Sequence, residues 1–584
     1  MPVEPSFADP LAVFPPEIVL RILDFSSVST LASLLAVSKA WHHFIDVTHQ
    51  DAIYRAESKT IQPPGGTHDF TFLSDTCSIS GFFNGASSWK ELCKRQTLLA
   101  RNWGAQHPVS QESVLQIGND PVWRFRVDFK RRFFISTSHA GGLNVTDMDS
   151  GRILWRLPST LDHDQDAVRP HAHLEYQDGV AVFDREGEAL DVWQTDLDGT
   201  ARGEFRRIAI LNHECQTRGF QLSYWTLCVV SNEGQGFVYD MKQRPPVLTT
   251  HLEIEQGAVG HLDQSEDAVI CSIGAKGYHA YDKKSGNFLG VLQPSNCTEM
   301  YHILPPPSHP RADGPAHPHR GTRRPIITPI SIAQGRLPVP SEPEHVRNGE
   351  DEWGAGMLDG ELFVGFSRAG RVFVCSQWRK ALHDQSSLAA HSFLLECESD
   401  GSNFDLGGWL SVRDHRVLFE IQDRLYIVAL DNNNRVQNLE NPQRASFSIL
   451  TSSAPQLEVP VSYMTLCDDA IITTYGTLGW RQSTSDPPYD PVLGRAHPAR
   501  IFPTKAIRIM SLAPDLSNSE PTATASGHDR ASESRSPRAR SGPGQPTDQM
   551  WQSQAALLQL VSLLGDEPDE WEDREDSEGD DDGA

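Results

Sequence analysis

The sequence predicts a multidomain chain: a small all-α unit at the N-terminus, a long all-β region built from repeats, and a disordered acidic tail. Three observations carry this reading. Apolar residues between Leu11 and Ile45 recur at helical spacing. From Val122 onward, short β-rich runs separated by turns return at a nearly constant period. From about Ser517 the composition turns to Ser, Thr, Pro, Gly and Arg, then ends in Asp and Glu. The 584 residues are too many for one ordinary domain and predict two or three.

Within the first stretch, Phe14-Pro15-Pro16-Glu17 reads as a helix start. Proline suits the first turn because its missing N–H has no partner there, and Glu17 meets the positive end of the helix dipole. Ile18, Val19, Ile22 and Leu23 then make a wide apolar stripe on one face. Ser26-Ser27 interrupts it. Ser29 or Thr30 caps a second helix carrying Leu31, Leu34, Leu35 and Val37, and Ser38 caps a third with Trp41, Phe44 and Ile45 on one face. Asp51 to Arg55 extend that last helix. Helices this short bury little against each other, so their apolar surplus needs the rest of the chain or another protein.

The ordered landmarks Leu11, Phe14-Pro15, Glu17-Ile18, Ile22-Leu23, Leu31, Val37-Ser38-Lys39 and Trp41 resemble the F-box, with Phe14 where that family usually has leucine. The resemblance covers most of the motif's length. It implies docking onto the Skp-type adaptor of a cullin-based ubiquitin ligase. The adaptor-binding residues it implies are Phe14, Pro15, Glu17, Ile18, Ile22, Leu23, Leu31, Leu34, Val37 and Trp41. A helical core hairpin explains the stripe equally well, but not the order of the landmarks. Residues 10–57 are assigned to this unit and 1–9 to a disordered lead.

After a break at Gln62-Pro63-Pro64-Gly65-Gly66, Trp89, Leu92, Gln96 and Leu99 fall at helical spacing behind Ser87 or Ser88 as cap. Alone, this is an ordinary amphipathic helix. Behind an F-box, Trp89-Lys90, Leu92-Cys93 and Asn102-Trp103 resemble the helical linker that joins an F-box to a WD-repeat propeller, here residues 58–115.

The repeats follow. Phe133–Thr137, a Gly141-Gly142 turn, Leu143–Asp147, an Asp149-Ser150-Gly151 turn and Ile153–Trp155 read as strand, turn, strand, turn, strand. The pattern returns at Val180–Phe183 with Leu190–Trp193, at Leu227–Val230 with Phe237–Asp240, and at Ala268–Cys271 with Tyr278–Asp282 and Ser285–Leu289. Asp147, Gln194, Asp240 and Asp282 hold one position, in steps of 47, 46 and 42 residues. That is close to the period of about 40–45 residues of WD propeller blades. Looser copies at Glu361–Val374, Arg416–Val428 and Ala470–Met510 bring the candidates to seven. The Gly-His and Trp-Asp signature is mostly missing; Gly260-His261 with Tyr281-Asp282 comes nearest. The expectation is a degenerate WD-like β-propeller over residues 116–513, with a pair of β-sandwiches disfavoured by the regular repetition.

Two excursions interrupt it. Residues 293–352, with Pro305-Pro306-Pro307 and Arg323-Arg324-Pro325, read as a long mobile insertion, and 476–503 as a second one. His309, His317 and His319 lack Cys or carboxylate partners at ligand spacing and read as solvated loop residues. The tail, 514–584, cannot repay its ordering entropy. Inside it, Trp551 to Leu564 can form a short helix with Leu557, Leu560, Val561 and Leu564 on one face, and Ser536-Pro537 is a candidate phosphorylation site.

The chemistry of enzymes is missing: no Gly-rich phosphate loop, GxSxG or HExxH occurs, and Asp162-His163-Asp164 reads as a solvated turn. The nine cysteines are scattered without a CxxC pair, which indicates neither zinc nor disulfides and fits the cytoplasm or nucleus. A net charge of −26 disfavours nucleic-acid binding. No run is apolar enough to span a bilayer, and no signal sequence leads the chain. The expectation is therefore a non-catalytic substrate receptor without cofactor or metal. Its partners are the Skp-type adaptor, through it a cullin, and a target protein. The alternative is a propeller scaffold that drives no degradation.

Overall fold

A computed structural model describes residues 9–57, 70, 77–117, 121–138, 141–158, 173–185, 189–231, 233–255, 261–304, 326–338, 352–367, 369–397, 409–421, 423–451, 461–481 and 500–516. The lead before Asp9, the break at Gln62–Gly66, Asp162–Asp164, the three loop histidines, Ser536-Pro537 and Trp551–Leu564 lie outside these residues.

The chain opens with α1 (Pro10–Val13) and α2 (Pro16–Leu23), which has Pro16 at its first position and Glu17 in its first turn. α3 (Val28–Val37) is capped by Ser27, whose Oγ accepts from Thr30 N at 3.2 Å. Ser29 and Thr30 were the expected caps; both lie inside the first turn, because the cap hydroxyl reaches three residues ahead. α4 (Lys39–His43) is capped by Ser38 as expected, with Trp41 N as donor at 3.2 Å. A π-helical turn, Phe44–Thr48, then sets off α5 (Gln50–Glu57), so Asp51 to Arg55 lie on a separate helix.

α6 (Trp89–Trp103) is capped by Ser88, and Glu91 returns the bond by accepting from Ser87 N at 3.3 Å. Its stripe Trp89, Leu92, Cys93, Leu99 and Trp103 is buried in one cluster with Val19, Leu23, Leu31, Trp41, Ile45 and Ile53. Asp46 ties the two units from the side, accepting from Lys90 Nζ at 2.6 Å and from Tyr54 at 3.2 Å.

β1 (Gln111–Leu115) comes next, and after it the blades. The first is β2 (Val122–Asp128), β3 (Phe133–Ser138), β4 (Leu143–Asp147) and β5 (Ile153–Leu157). The second is β6 (Leu174–Gln177), β7 (Val180–Arg185), β8 (Ala189–Gln194) and β9 (Arg206–Asn212). The third is β10 (Thr217–Ser223), β11 (Thr226–Ser231), β12 (Gln235–Asp240) and β13 (Val247–Glu253). The fourth is β14 (Leu262–Gln264), β15 (Ala268–Ser272), β16 (Tyr278–Asp282) and β17 (Phe288–Leu292). A hairpin of β18 (Met300–Leu304) and β19 (Ile327–Gln334) precedes the fifth blade, β20 (Trp353–Asp359), β21 (Leu362–Ser367), β22 (Arg371–Cys375) and β23 (Ser392–Glu396). Two short helices, α7 (Trp378–Ala381) and α8 (Gln385–His391), link its last two strands. The sixth is β24 (Leu410–Arg413), β25 (Arg416–Ile421), β26 (Arg424–Ala429) and β27 (Ser446–Leu450).

The seventh blade consists of β28 (Met464–Leu466), β29 (Ala470–Arg481), β30 (Arg500–Ser511) and, outermost, β1. Every blade is an antiparallel meander with its first strand innermost, and each inner strand meets the next around the ring until β2 meets the seventh blade. The described strands thus form a closed seven-bladed β-propeller. Middle strands such as β3, β4, β15 and β21 are buried along their whole length, being covered by blades on both sides. The repeat position held by Asp147 and Asp282 is a turn. Each carboxylate accepts a backbone N–H at 2.6 Å, from Ser150 and Ser285 respectively, and a positive-φ glycine, Gly151 or Gly286, follows.

Three boundaries differ from the expectation. β1 belongs to the propeller, not to the helical linker: Gln111 pairs with Ser511 and closes the ring. The stretch 293–352 contains the β18–β19 hairpin. β18 pairs in parallel with β23 and β19 pairs antiparallel with β27, so the fifth and sixth blades join in one ten-stranded sheet. Finally, β29 and β30 remain paired out to Arg481 and Arg500, so only the centre of the second excursion leaves the ladder.

The helical unit docks where β28 turns into β29. Asp469 is fully buried there and accepts from Ser78 Oγ at 2.8 Å, Ile79 N at 2.9 Å and Ser80 N at 3.0 Å. Asp468 accepts from Cys77 N at 3.1 Å, and its carbonyl takes the Trp103 indole N–H at 2.9 Å. The Arg416 guanidinium lies 4.6 Å over the Trp103 ring.

Candidate functional site

Two surfaces on opposite ends of this architecture are candidates. The first is on the helical unit. Ile18 and Ile22 sit one turn apart on α2, with Phe14 just before the helix and Phe25 in the turn that follows it. Phe14, Ile18, Ile22 and Phe25 are 45%, 48%, 50% and 80% exposed, while Val19 and Leu23 on the other side of α2 are buried. Val37, at the end of α3, is 65% exposed. Single exposed apolar residues are ordinary, but four large ones within twelve residues of chain, on and beside one short helix, mark a candidate contact surface.

The residues expected to bind an adaptor therefore separate into two sets. Phe14, Pro15, Glu17, Ile18, Ile22 and Val37 reach solvent. Leu23, Leu31 and Trp41 are inside the helical core, and Leu34 is half-buried against it. The physical reason is packing within the unit: Leu23, Leu31 and Trp41 share a buried cluster with Ile45 and Ile53 and are no longer free for a partner. Phe25, Val13 and Val47 are exposed as well, and sequence reading did not single them out. The signal for Phe25 was its position three residues after Ile22.

The second surface is the end of the channel where the inner strands begin, away from the Asp468–Asp469 corner at which the helices dock. Trp409 and Tyr463, just before β24 and β28, meet with ring centroids 5.7 Å apart, and Trp409 reaches His261 before β14 at 5.9 Å. The Arg124 guanidinium from β2 lies 4.1 Å over Trp409, and Arg126 lies 4.4 Å over Tyr463. Starts of the first, second, fourth, sixth and seventh blades thus converge, the second through Glu175, which pairs with Arg126 and stands 3.6 Å from Arg124.

Electrostatics keep this cluster charged. Burial opposes the charge of Glu175, but Arg126 and His173 outweigh it and hold its carboxyl down at about 2. Burial and the neighbouring Arg124 hold His173 down at about 3, so at pH 7 it is neutral, and its Nε2 is 3.1 Å from Glu175. Burial lowers Arg124 to about 9, which still leaves it a cation. Burial likewise pushes Asp263, on β14, up to about 7. Among the described residues, Arg124 Nε and Arg126 Nη1 have no hydrogen-bond acceptor. Sequence reading named no arginine here, because only the closed ring shows which of them face each other.

Among the described residues, no three His, Cys, Asp or Glu side chains are placed to hold a metal ion. Burial pushes the thiols of Cys228 and Cys375 up to about 12, which makes them packing groups and not nucleophiles. Among the described residues, no helix is long and apolar enough to cross a membrane.

No protein-family model and no curated protein matches the sequence. Among solved structures the chain is similar to the computationally designed Ika8 protein, at 12% identity over 62% of this chain and 95% of that one, with a TM-score of 0.36. It is similar to BamB from Moraxella catarrhalis at 11% identity over 69% of this chain and 100% of that one, TM-score 0.37. It is also similar to the Cps50 (Swd1) β-propeller domain from Myceliophteria thermophila, at 10% identity over 69% and 99% of the two chains, TM-score 0.39. Scores this low carry no argument by themselves. The propeller fold rests on this chain's own strand pairing, which closes seven blades into one ring.

Proposed function

We propose that this chain is the substrate-recognition subunit of a Skp–cullin–F-box type ubiquitin ligase. The observation that supports it most is the set Phe14, Ile18, Ile22 and Phe25, left in solvent while Val19 and Leu23 of the same helix are buried. Phe14, Ile18 and Ile22 are among the landmarks that resemble the F-box. In this reading the Skp-type adaptor covers this surface and brings a cullin with it. The target protein binds at the far end of the propeller, where the half-buried rings of Trp409 and Tyr463 are backed by the guanidiniums of Arg124 and Arg126. The chain needs no cofactor or metal and performs no chemistry; it tethers the target and raises the effective concentration of its lysines near a conjugating enzyme. It works in the cytoplasm or nucleus, where thiols stay reduced.

The test is capture of purified Skp-type adaptor by the full chain and by Ile18→Asp/Ile22→Asp. Both positions are exposed, so the variant keeps the melting temperature of the wild type. Capture by wild type and loss in the variant is the expected result. A folded wild-type chain that captures no adaptor sinks the reading.

A further inference from the structure

We propose that the tail segment Trp551–Leu564 docks on the same apolar surface of α2 and competes there with the adaptor. This proposal rests on the docking reading given above and adds its regulation.

Three observations lead to it. First, this surface has no apolar cover among the described residues, and Phe25 is 80% exposed. Such a surface attracts an amphipathic helix, which recognises a groove through residues at i, i+3, i+4 and i+7. Second, beyond Leu516 the large apolar residues are concentrated in one place: apart from Met550 and Trp571, all of them fall in WQSQAALLQLVSLL. Leu557, Leu560, Val561 and Leu564 have the i, i+3, i+4, i+7 spacing. Asp548 precedes them as a helix cap and Gly565 follows as a stop. A helix of this length is marginal alone in water and needs a partner surface to persist.

Third, the chain leaves the propeller beside the helical unit. Ala513 and Leu516 pack against the cluster that holds Val19, Leu23 and Trp41, and Asn102 on α6 donates to the Leu512 carbonyl at 2.6 Å. From there, residues 517–550 are rich in Ser, Pro and Gly. A Gly/Ser-rich chain of that length spans roughly 30 Å on average, about the diameter of a small domain. The segment is thus presented to α2 at an effective concentration on the order of 1 mM. An intrinsic affinity of only about 0.1 mM then covers the surface in roughly nine molecules of ten and weakens adaptor binding about tenfold.

The experiment uses the full chain and the full chain carrying Leu557→Asp/Leu560→Asp/Leu564→Asp, whose changes lie outside the described residues. Purified Skp-type adaptor is titrated into each by calorimetry, and amide exchange in α2 is followed in both without adaptor. The expected result is an adaptor affinity about tenfold higher in the variant, together with faster exchange over residues 16–25. Equal affinities and equal exchange overturn the proposal. If neither chain binds adaptor but α2 exchanges faster in the variant, the tail contact stands, while competition and the docking reading both fail. A concentration-dependent dimer that protects α2 equally in both chains assigns the surface to a second copy and also overturns the proposal.

Discussion

The buried carboxylate of Asp469 accepts the Ser78 hydroxyl at 2.8 Å and so fastens the linker to the seventh blade from 391 residues away in sequence. The same carboxylate takes Ile79 N, Ser80 N and the Ser80 hydroxyl, so four donors of the linker depend on one side chain.

Asp469→Ala leaves those donors without this acceptor, the buried Ser78 hydroxyl among them, at a cost of about 3 kcal/mol. The expected result is loss of amide-exchange protection at Ile79 and Ser80 while the amides of β3 and β15 keep theirs. Unchanged protection at Ile79 shows that the linker is held by its apolar contacts instead.

Glu175 is the carboxylate between two buried guanidiniums. Glu175→Gln leaves Arg124 and Arg126 without their shared counter-charge and costs about 3–5 kcal/mol in a denaturant titration. The double variant Glu175→Gln/Arg126→Gln recovers part of that loss. The folded carboxyl titrates at about 2, below the value of about 4.3 in an unfolded chain. Its stabilisation is therefore complete above about pH 4.3 and fades as pH falls toward 2. A stability profile of the Gln variant that still contains this acid limb refutes the assignment.

Asp263 runs with the opposite sign. Burial raises its folded pKa to about 7, above the unfolded value of about 3.9, so the folded state binds the extra proton. Its contribution declines as pH rises from about 4 to about 7. Asp263→Asn keeps one acceptor oxygen for the Leu358 N–H, now 2.6 Å from the carboxylate, and removes the titration. The variant is expected to melt higher than wild type at pH 8 and equally at pH 4; a lower melting point at pH 8 contradicts the burial argument.

Trp41 and Ile18 separate packing from docking. Trp41→Ala empties a buried site in the helical unit and costs about 3–5 kcal/mol locally, read as early unfolding of α2 to α5 by amide exchange. Ile18→Asp changes stability by less than about 0.5 kcal/mol and acts only on the exposed surface. Equal destabilisation by both places Ile18 in the core.

Much of this was legible in the sequence, and the reason is burial. Phe133-Phe134-Ile135 and Val180-Ala181-Val182 are covered on both faces by neighbouring blades, so their β character is written in continuous apolar runs. β1 was missed because Gln111, Glu112 and Ser113 are exposed on an outer edge and make no such run. The β18–β19 hairpin was missed because its strands are separated by 22 residues and the second contains Pro329. At the helical unit the landmarks were visible, but Ile22 and Leu23 are neighbours of like polarity, and only the packing of the folded unit decides which one turns inward. The channel arginines were hidden among 51 Lys and Arg, since their meeting is a property of the closed ring.

Closure by β1 also sets a timetable for synthesis. Gln111 must wait for Ser511, 400 residues later. At ribosomal speeds of about 5–20 residues per second that is roughly 20–80 s, during which the helices at the N-terminus have already emerged. Until then, β1 hangs free and the nascent propeller is open along one seam. A message broken anywhere before the codons of β30 yields a product whose seam never closes, with β-edges open to chaperones and proteases. The last blade thus works as an inspection step: only a chain translated through Ser511 can hide its edges.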